Sequence, residues 1–428
     1  MAMIHKIILA LIVLFATSAP SWADGKRIVV LSDIHLMAES TKGSDYWNST
    51  LADTRKIVEY SQQLFSQITD TLKAIKPDLL LISGDLTERG HRASHEYVRS
   101  KLRELQSAGI AVCVVPGNHD LNGNVDFGLW YGDFGYNRAI AREELSYAAE
   151  PLEGLTVIGL NSGTDGHLTE ATIAFAENQA KAATEKGNSV LCMMHHALIP
   201  HIYNANAIVP SSYIADWESV KDRFAAAGIR VVLTGHLHVS DIAKDFAADS
   251  RQSIYDVSTG SIVSYPCDYR VLTLSDGGDS LTIETHSIKQ LTGVDNFPDW
   301  ARNELKSRMV RLLLNKAKLN RQQNASIYDF AAEALDTLAG LFAVHAEGNE
   351  VMTTKRQSLV NDLSEAAASA IPMLRMLFPG KDLSEFERFA DHKLITSMLV
   401  SILTDQSPYG FEGRTNITDD RTLTIPLR

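Results

Sequence analysis

Ile28-Val29-Val30-Leu31-Ser32-Asp33-Ile34-His35 decides how this chain is read. Four consecutive apolar residues, three of them β-branched, make a short strand without polar alternation, so both of its faces are covered. The strand runs out onto an acid and an imidazole spaced one residue apart, two side-chain types that bind metal ions. Moving outward, the pattern returns four times. Gly84-Asp85 follows Leu79-Leu80-Leu81-Ile82, and Gly117-Asn118-His119-Asp120 follows Val114-Val115-Pro116. His195-His196 follows the apolar run 191–194, and Gly235-His236-x-His238 follows Val231–Thr234. In an open α/β sheet the carboxyl ends of neighbouring strands meet at one crevice, so these distant segments can share a site.

Between the strands lie helical stretches, predicted at 54–75, 91–108 and 216–227, with further strands at 111–115, 156–160 and 190–194. The runs 253–263, 270–274 and 281–288 alternate more and lack intervening helices, which predicts antiparallel strands of a second sheet. Two sheets face to face with helices outside them form an α/β fold, a four-layer α/β/β/α sandwich. After Asn296-Phe297-Pro298 the character changes. Trp300, Leu305, Met309 and Leu312 recur at helical spacing, as do Ile327, Phe330, Ala334, Leu338 and Leu341. The run 374–378 stops at Pro379-Gly380, and 394–403 reads as a final apolar helix. The expected organisation is a signal peptide over 1–23, a catalytic domain over 24–292 and a helical C-terminal domain or cap over 293–428. His345 and His392 in that last part stand alone and are read as structural, because metal ligands come in clusters.

The 428 residues are 45% hydrophobic, enough for a sizeable core, and carry a formal net charge of -12. That charge disfavours a binder of long nucleic acids or of anionic membranes, both of which want basic surfaces. A small anionic substrate stays compatible, since a metal supplies local positive charge. Lys6, the apolar run 7–15 and Ser21-Trp22-Ala23 form an export signal with cleavage expected after Ala23, placing the mature chain in the periplasm or outside the cell. No later apolar run is long enough for a stable membrane anchor. No feature of the sequence sets an oligomeric state. Cys113 and Cys192 sit in apolar strands as small hydrophobes, while Cys267, in a loop, is expected to be the reactive thiol.

Two metal ions in one site need a carboxylate between them, and carboxylate oxygens with imidazole nitrogens suit Mn, Fe, Zn or Co alike. Such a pair, about 3.5–4 Å apart, clamps a phosphate ester and activates a bridging water. No Ser or Cys nucleophile is then required, and none is arranged here with a base. Asp33-x-His35, Gly84-Asp85 with Gly90, Gly117-Asn118-His119-Asp120, His195 and Gly235-His236-x-His238 together resemble the complete signature of the calcineurin-like metallophosphoesterases, over residues 27–290. The resemblance implies that fold and a dinuclear centre of two divalent ions. Asp33, His35, Asp85 and His238 would hold one ion; Asp85, Asn118, His195 and His236 the other, with Asp85 bridging. His119, beside the metals, would protonate the leaving group or stabilise the transition state. The implied activity is hydrolysis of a small phosphorylated substrate, foremost a phosphodiester such as a cyclic nucleotide. A phosphomonoesterase, a nucleotide or phospholipid pyrophosphatase, and a catalytically silent binding protein are the alternatives.

The loop Gly84-Asp85-Leu86-Thr87-Glu88-Arg89-Gly90 resembles the protein-phosphatase version, with Glu88 where that branch has Asp. There the acid orients the catalytic His and the Arg grips phosphate, a bidentate task. The pair His195-His196, the run Ser258-Thr259-Gly260 and the compact catalytic span are more similar to class III cyclic nucleotide phosphodiesterases, and to exported bacterial members with an added helical C-terminal region. Arg89 is thus a candidate substrate contact or a solvated surface residue. In the pair, side chains of adjacent strand residues point to opposite faces, so His195 is the expected ligand and His196 would hold the loop or contact substrate. His91, His201, Tyr46 and Trp47 are further candidate contacts, the two aromatics equally readable as packing. The 123–136 segment, rich in Gly and aromatics, is expected to line the mouth.

Overall fold

In the computed structural model the described residues are 25–123, 125–135, 145–202, 205–248, 252–316, 318–322, 325–348 and 420–427, with isolated positions between 358 and 401. The export signal, the helix expected before Pro379-Gly380, His392 and most of 394–403 lie outside them.

The apolar runs build two six-stranded sheets among these residues. In the first, β1 (Gly25–Leu31) pairs in parallel with β2 (Leu79–Ile82), and β2 with β3 (Ala111–Val114). In the second, β4 (Tyr147–Leu152), β5 (Leu155–Gly159), β6 (Ser189–Met193) and β7 (Val231–Thr234) lie side by side, followed by β9 (Ser253–Ser258) and β8 (Asp241–Phe246). Alternate side chains explain the layering. Leu191 and Met193 of β6 face the first sheet, whereas Val190 and Cys192 pack outward. That outer face meets the helices Glu170–Glu185 and Trp217–Ala226 through Ile173, Ala176, Ala180 and Phe224. The first sheet is covered by Ser61–Ile75 and Arg92–Ser107 through Leu64, Phe65, Ile68, Val98 and Leu102. The four-layer order is therefore the one expected.

Several expectations need correction. β10 (Asp268–Ser275) and β11 (Ser280–Ser287) are antiparallel, but β10 pairs with β1, so they extend the first sheet and not the second. β9 runs parallel to β7. The helix expected at 54–75 begins only at Ser61, because the Ile57 N–H donates to the Val263 carbonyl at 2.9 Å and holds the preceding turn out of the helix. The helix Glu170–Glu185 escaped the sequence reading because its apolar face is mostly Ala; Thr169 caps its start by accepting the Thr172 N–H. The short helix Asp45–Ala52 and strands β4 and β8 were also not anticipated. The 293–428 segment is not helical throughout, since β12 (Thr422–Pro426) pairs with β11 at the edge of the first sheet.

Its two described long helices, Phe297–Lys316 and Ala325–Glu347, face the loops that carry Arg55, His238 and Tyr265. Arg308 reaches from the first of them to Glu59 at 2.6 Å and to the Lys56 carbonyl at 2.8 Å, while the Tyr265 hydroxyl donates to Glu347 at 2.9 Å.

Arg270, fully buried on β10, ties the sheets together. Its guanidinium donates to the Ser258 and Asp241 carbonyls of the second sheet at 2.7 and 3.2 Å, and to Thr285 Oγ1 and the Asp420 carbonyl at 2.7 Å each. Truncation leaves those neutral acceptors buried without a donor, and a buried group orphaned in this way costs about 1–3 kcal/mol. Arg270→Ala is expected to lower unfolding stability in urea by that amount; a loss below about 1 kcal/mol would contradict the clamp.

Candidate metal centre

The carboxyl ends of β1, β2, β3, β6 and β7 converge on one cleft, and tertiary hydrogen bonds set the spacing of what they carry. The Asp33 N–H donates to the Gly84 carbonyl at 3.1 Å and the His35 N–H to the Asp85 carbonyl at 2.9 Å, locking the first two loops together. The Gly235 N–H donates to the His195 carbonyl at 3.0 Å, locking two more. Asp120 fastens the third: its carboxylate accepts the N–H groups of Leu86, Thr87 and Gly117 and the Thr87 hydroxyl. Gly117 is required here, since a Cβ would collide with the Asp85 carboxylate. Gly235 is required likewise, against Ser32 and Asp33.

Five of the expected ligands, Asp33, His35, Asp85, His236 and His238, have positive φ between 43° and 66°. Left-handed backbone at such residues costs roughly 1–3 kcal/mol each and concentrates at functional sites. The strain turns consecutive side chains into the cleft.

There they form two groups of ligand atoms. Asp33, His35 and His238 make one, with Asp33 Oδ1 3.5 Å from His35 Nε2 and 3.2 Å from His238 Nε2. Asp85, His195 and His236 make the other. Asn118 Oδ1 joins the second at 3.1 Å from both His195 Nε2 and His236 Nδ1. Asp85 Oδ1 accepts the His119 N–H at 2.8 Å, and Asp85 Oδ2 lies 3.4 Å from His35 Nε2 and 3.3 Å from His195 Nε2. One carboxylate oxygen therefore stands between the two groups.

The donor chemistry fits metal ions. Asp33 Oδ2 accepts from Ser32 Oγ and from the His236 N–H, while its buried Oδ1 has no hydrogen-bond partner among the described residues. His195 Nδ1 lies 2.8 Å from the Ser83 carbonyl, which fixes the ring and leaves Nε2 to the cleft, the usual outer support of a metal-binding imidazole. Burial opposes charge on Asp33, yet His238 and His35 hold its carboxyl well below the usual range. Burial likewise opposes charge on His195, but Asp85 raises it to about 9. Burial pushes His238 down to about 3 and, with His195 charged nearby, His236 well down. Without metal, imidazolium protons balance the carboxylates, so taking up a cation releases protons.

His119 belongs to neither group, but with His35 and Glu88 it forms a third cluster of ligand atoms, its ring edge-on to His35 with centroids 4.6 Å apart. Its side chain is 28% exposed to the cleft, and its Nδ1 lies 3.2 Å from Glu88 Oε1. Glu88 is a hub that sequence reading only partly anticipated. Its Oε2 accepts from Lys56 Nζ at 2.6 Å and lies 3.0 Å from His35 Nδ1. Lys56 gave no signal, since its contact depends on the turn that replaces the expected helix start. Asp256, which accepts the Leu198 and Ile199 N–H groups and the Thr234 hydroxyl, was also missed.

His196 is fully buried, its Nδ1 2.8 Å from Ser162 Oγ and its ring against His236, so it supports the loop behind the cleft. Arg89 lines the cleft, 39% exposed, with Nη2 3.9 Å from Asp53 Oδ2. The Tyr46 hydroxyl donates to the Glu88 carbonyl and its ring stacks on His91, which caps a helix, while Trp47 is buried; all three pack beneath the site. The 123–136 segment does not line the cleft among its described residues, but buries Phe127, Tyr131 and Phe134 beside His95. Cys267 is not the reactive thiol expected: it is fully buried, and burial beside Asp268 pushes its pKa far up.

His201 and His345 lie in the cleft wall on either side of Asp241. His201 Nδ1 is 2.7 Å from Asp241 Oδ1, and His345 Nε2 is 3.5 Å from Asp241 Oδ2. Burial opposes charge on His201, but Asp241 and Asp256 raise it to about 10. A folded pKa above the ordinary value of about 6.5 gives stability that is complete below that pH and lost as pH rises through the folded value. The stability gap between the wild type and His201→Gln is expected to be largest near pH 6 and to shrink towards pH 10, read by thermal unfolding across that range (approximate limits). A gap that grows with pH would contradict the assignment.

Comparison with known proteins agrees with this geometry. The profile described as calcineurin-like phosphoesterase matches residues 26–240. A probable cyclic nucleotide phosphodiesterase of Rhodococcus erythropolis is 25% identical over 222 residues, 50% of this chain and 66% of that protein. A 3′,5′-cyclic-nucleotide phosphodiesterase of Nostoc sp. is 28% identical over 221 residues, 49% of this chain and 71% of that one. A dimetal phosphatase from Danio rerio superposes with a TM-score of 0.48 at 14% identity, over 62% of this chain and 96% of that structure. No described helix is long and apolar enough to cross a membrane. With half of its length matched by the family profile, the chain belongs to the calcineurin-like phosphoesterase family.

Proposed function

We propose that this chain hydrolyses a phosphodiester, of which a cyclic nucleotide is the leading candidate, at a centre of two divalent metal ions. The observation that carries the reading is the position of Asp85 Oδ2, 3.4 Å from one group of ligand atoms and 3.3 Å from the other. A carboxylate so placed makes chemical sense as a bridge, with Asp33, His35 and His238 on one side and Asn118, His195 and His236 on the other. Two dications held by these residues would polarise a phosphate ester and lower the pKa of a bound water. Mn, Fe, Zn and Co all suit these ligands.

The chain's own residues supply the remainder. Glu88 occupies the Nδ1 side of His119 and holds the ring at the cleft, leaving Nε2 to give a proton to the departing oxygen. Ile202, Leu237, Val239, Leu312 and Phe342 form an apolar wall on a cleft of about 500 Å³, within the range of small-molecule sites. Such a wall suits an ester with a large planar or apolar group. The two relatives named as cyclic nucleotide phosphodiesterases support the same substrate class.

Two experiments test the reading. Elemental analysis of purified protein is expected to give two metals per wild-type chain, fewer for Asp85→Asn and His195→Ala, and two for His196→Ala. Loss of metal only in the His196 variant would reverse the ligand assignment. In a phosphoester panel run after reconstitution with single metals, His119→Ala is expected to keep its metals and lose roughly 10²–10⁴ in kcat, less for esters with good leaving groups. Turnover of monoesters alone would sink the diesterase reading.

A further inference from the structure

We propose that Arg55 is the phosphate-gripping residue of this cleft, its planar fork taking two oxygens of the substrate phosphoryl group beside Asp33 and His238. The inference rests on reading the cleft as a phosphate-ester site. Three buried carboxylates, Asp33, Asp85 and Glu88, surround the place where an anionic substrate must enter, so a fixed cation aimed at the substrate is needed beside the metals.

Arg55 is half-buried in the wall that also holds His119, His236 and His238. Arg55 lines both the cleft and the narrow gap beside it together with His238, and burial pulls its pKa down while Asp33 pushes it up. Yet among the described residues it makes no hydrogen bond and no ion pair. Arginine presents five N–H donors, and a partly desolvated fork rarely leaves all of them idle. Arg308, across the turn, commits its fork to Glu59 and the Lys56 carbonyl, and Arg270 commits its own to four acceptors. Arg89, the arginine of the recognised loop, is more exposed and already faces Asp53.

The turn that carries Arg55 is held on both sides. The Asp53 N–H donates to the Thr50 carbonyl at 3.1 Å, the Lys56 N–H to Thr54 Oγ1 at 3.0 Å and the Ile57 N–H to the Val263 carbonyl at 2.9 Å. From the C-terminal helices, Arg308 grips the Lys56 carbonyl, and Leu305 and Phe342 share a narrow gap with Arg55 and Tyr265. The backbone is therefore fixed while the donors stay unused, the arrangement of a preorganised anion contact.

The test uses the metal-loaded full chain, with inorganic phosphate as the probe, in Arg55→Gln, Arg55→Ala and Arg55→Lys. Metal content and thermal midpoint are expected to stay at wild-type values in Arg55→Gln. Phosphate affinity by calorimetry should fall roughly 10–100-fold, and KM should rise by a similar factor with kcat nearly unchanged. Arg55→Lys should recover only part, because an ammonium cannot form the fork. Arg55→Gln keeps the stem, so it decides the matter if Arg55→Ala fails to fold. Wild-type phosphate affinity in Arg55→Gln, with turnover intact in the wild type, would overturn the assignment. If the wild type turns over no ester, the hydrolase reading fails, and a fall in phosphate affinity in Arg55→Gln still supports the grip.

Discussion

Three carboxylates share one buried pocket, and the rest of the site is arranged around that repulsion. Asp33, Asp85 and Glu88 are each nearly inaccessible, and neighbouring like charges in a low-dielectric interior are strongly unfavourable unless cations answer them. His35 answers Asp33 and Asp85, His195 answers Asp85, and Lys56 answers Glu88. Protons and a lysine can perform this neutralisation in the free chain. The proposed divalent ions would take over that role, and the candidate ligand atoms of each group lie within 4.8 Å of one another.

The scaffold's contribution is to make that crowding permanent. Strands covered on both faces cannot shift without exposing a continuous apolar run, so their ends are fixed points. Loops leaving those ends are bonded to one another before they are bonded to anything else: Asp33 to Gly84, His35 to Asp85, Gly235 to His195. Left-handed backbone at five ligand positions is tolerated because these bonds, together with Asp120 and the close approaches at Gly117 and Gly235, over-determine the geometry.

The helices after residue 296 belong to this arrangement and are not merely appended to it. Arg308 fixes the turn that presents Lys56 to Glu88, Leu312 and Phe342 wall the cleft, and β12 closes the edge of the first sheet. Pairing in a sheet and contact across a cleft ignore sequence distance, so Leu312, Phe342 and β12 meet strands and loops that precede residue 290.

What the amino-acid order determined by itself was local. Unbroken β-branched runs specify doubly covered strands, and Asp-x-His, Gly-Asp, Gly-Asn-His-Asp, His-His and Gly-His-x-His just beyond them specify which side chains sit at strand ends. From those the four layers could be read, while the sorting of the ligands into two groups came from the resemblance to the calcineurin-like metallophosphoesterases. Tertiary structure decided what depends on non-local bonds. Placing β10 beside β1 required an antiparallel register that periodicity does not encode. Delaying a helix to Ser61 required the Ile57 N–H to reach the Val263 carbonyl, 206 positions further on in a different loop, and the turn so held carries Arg55 and Lys56 at the cleft. The burial of Cys267 and His196 was equally invisible in the sequence, since a loop residue is inside or outside according to what packs over it.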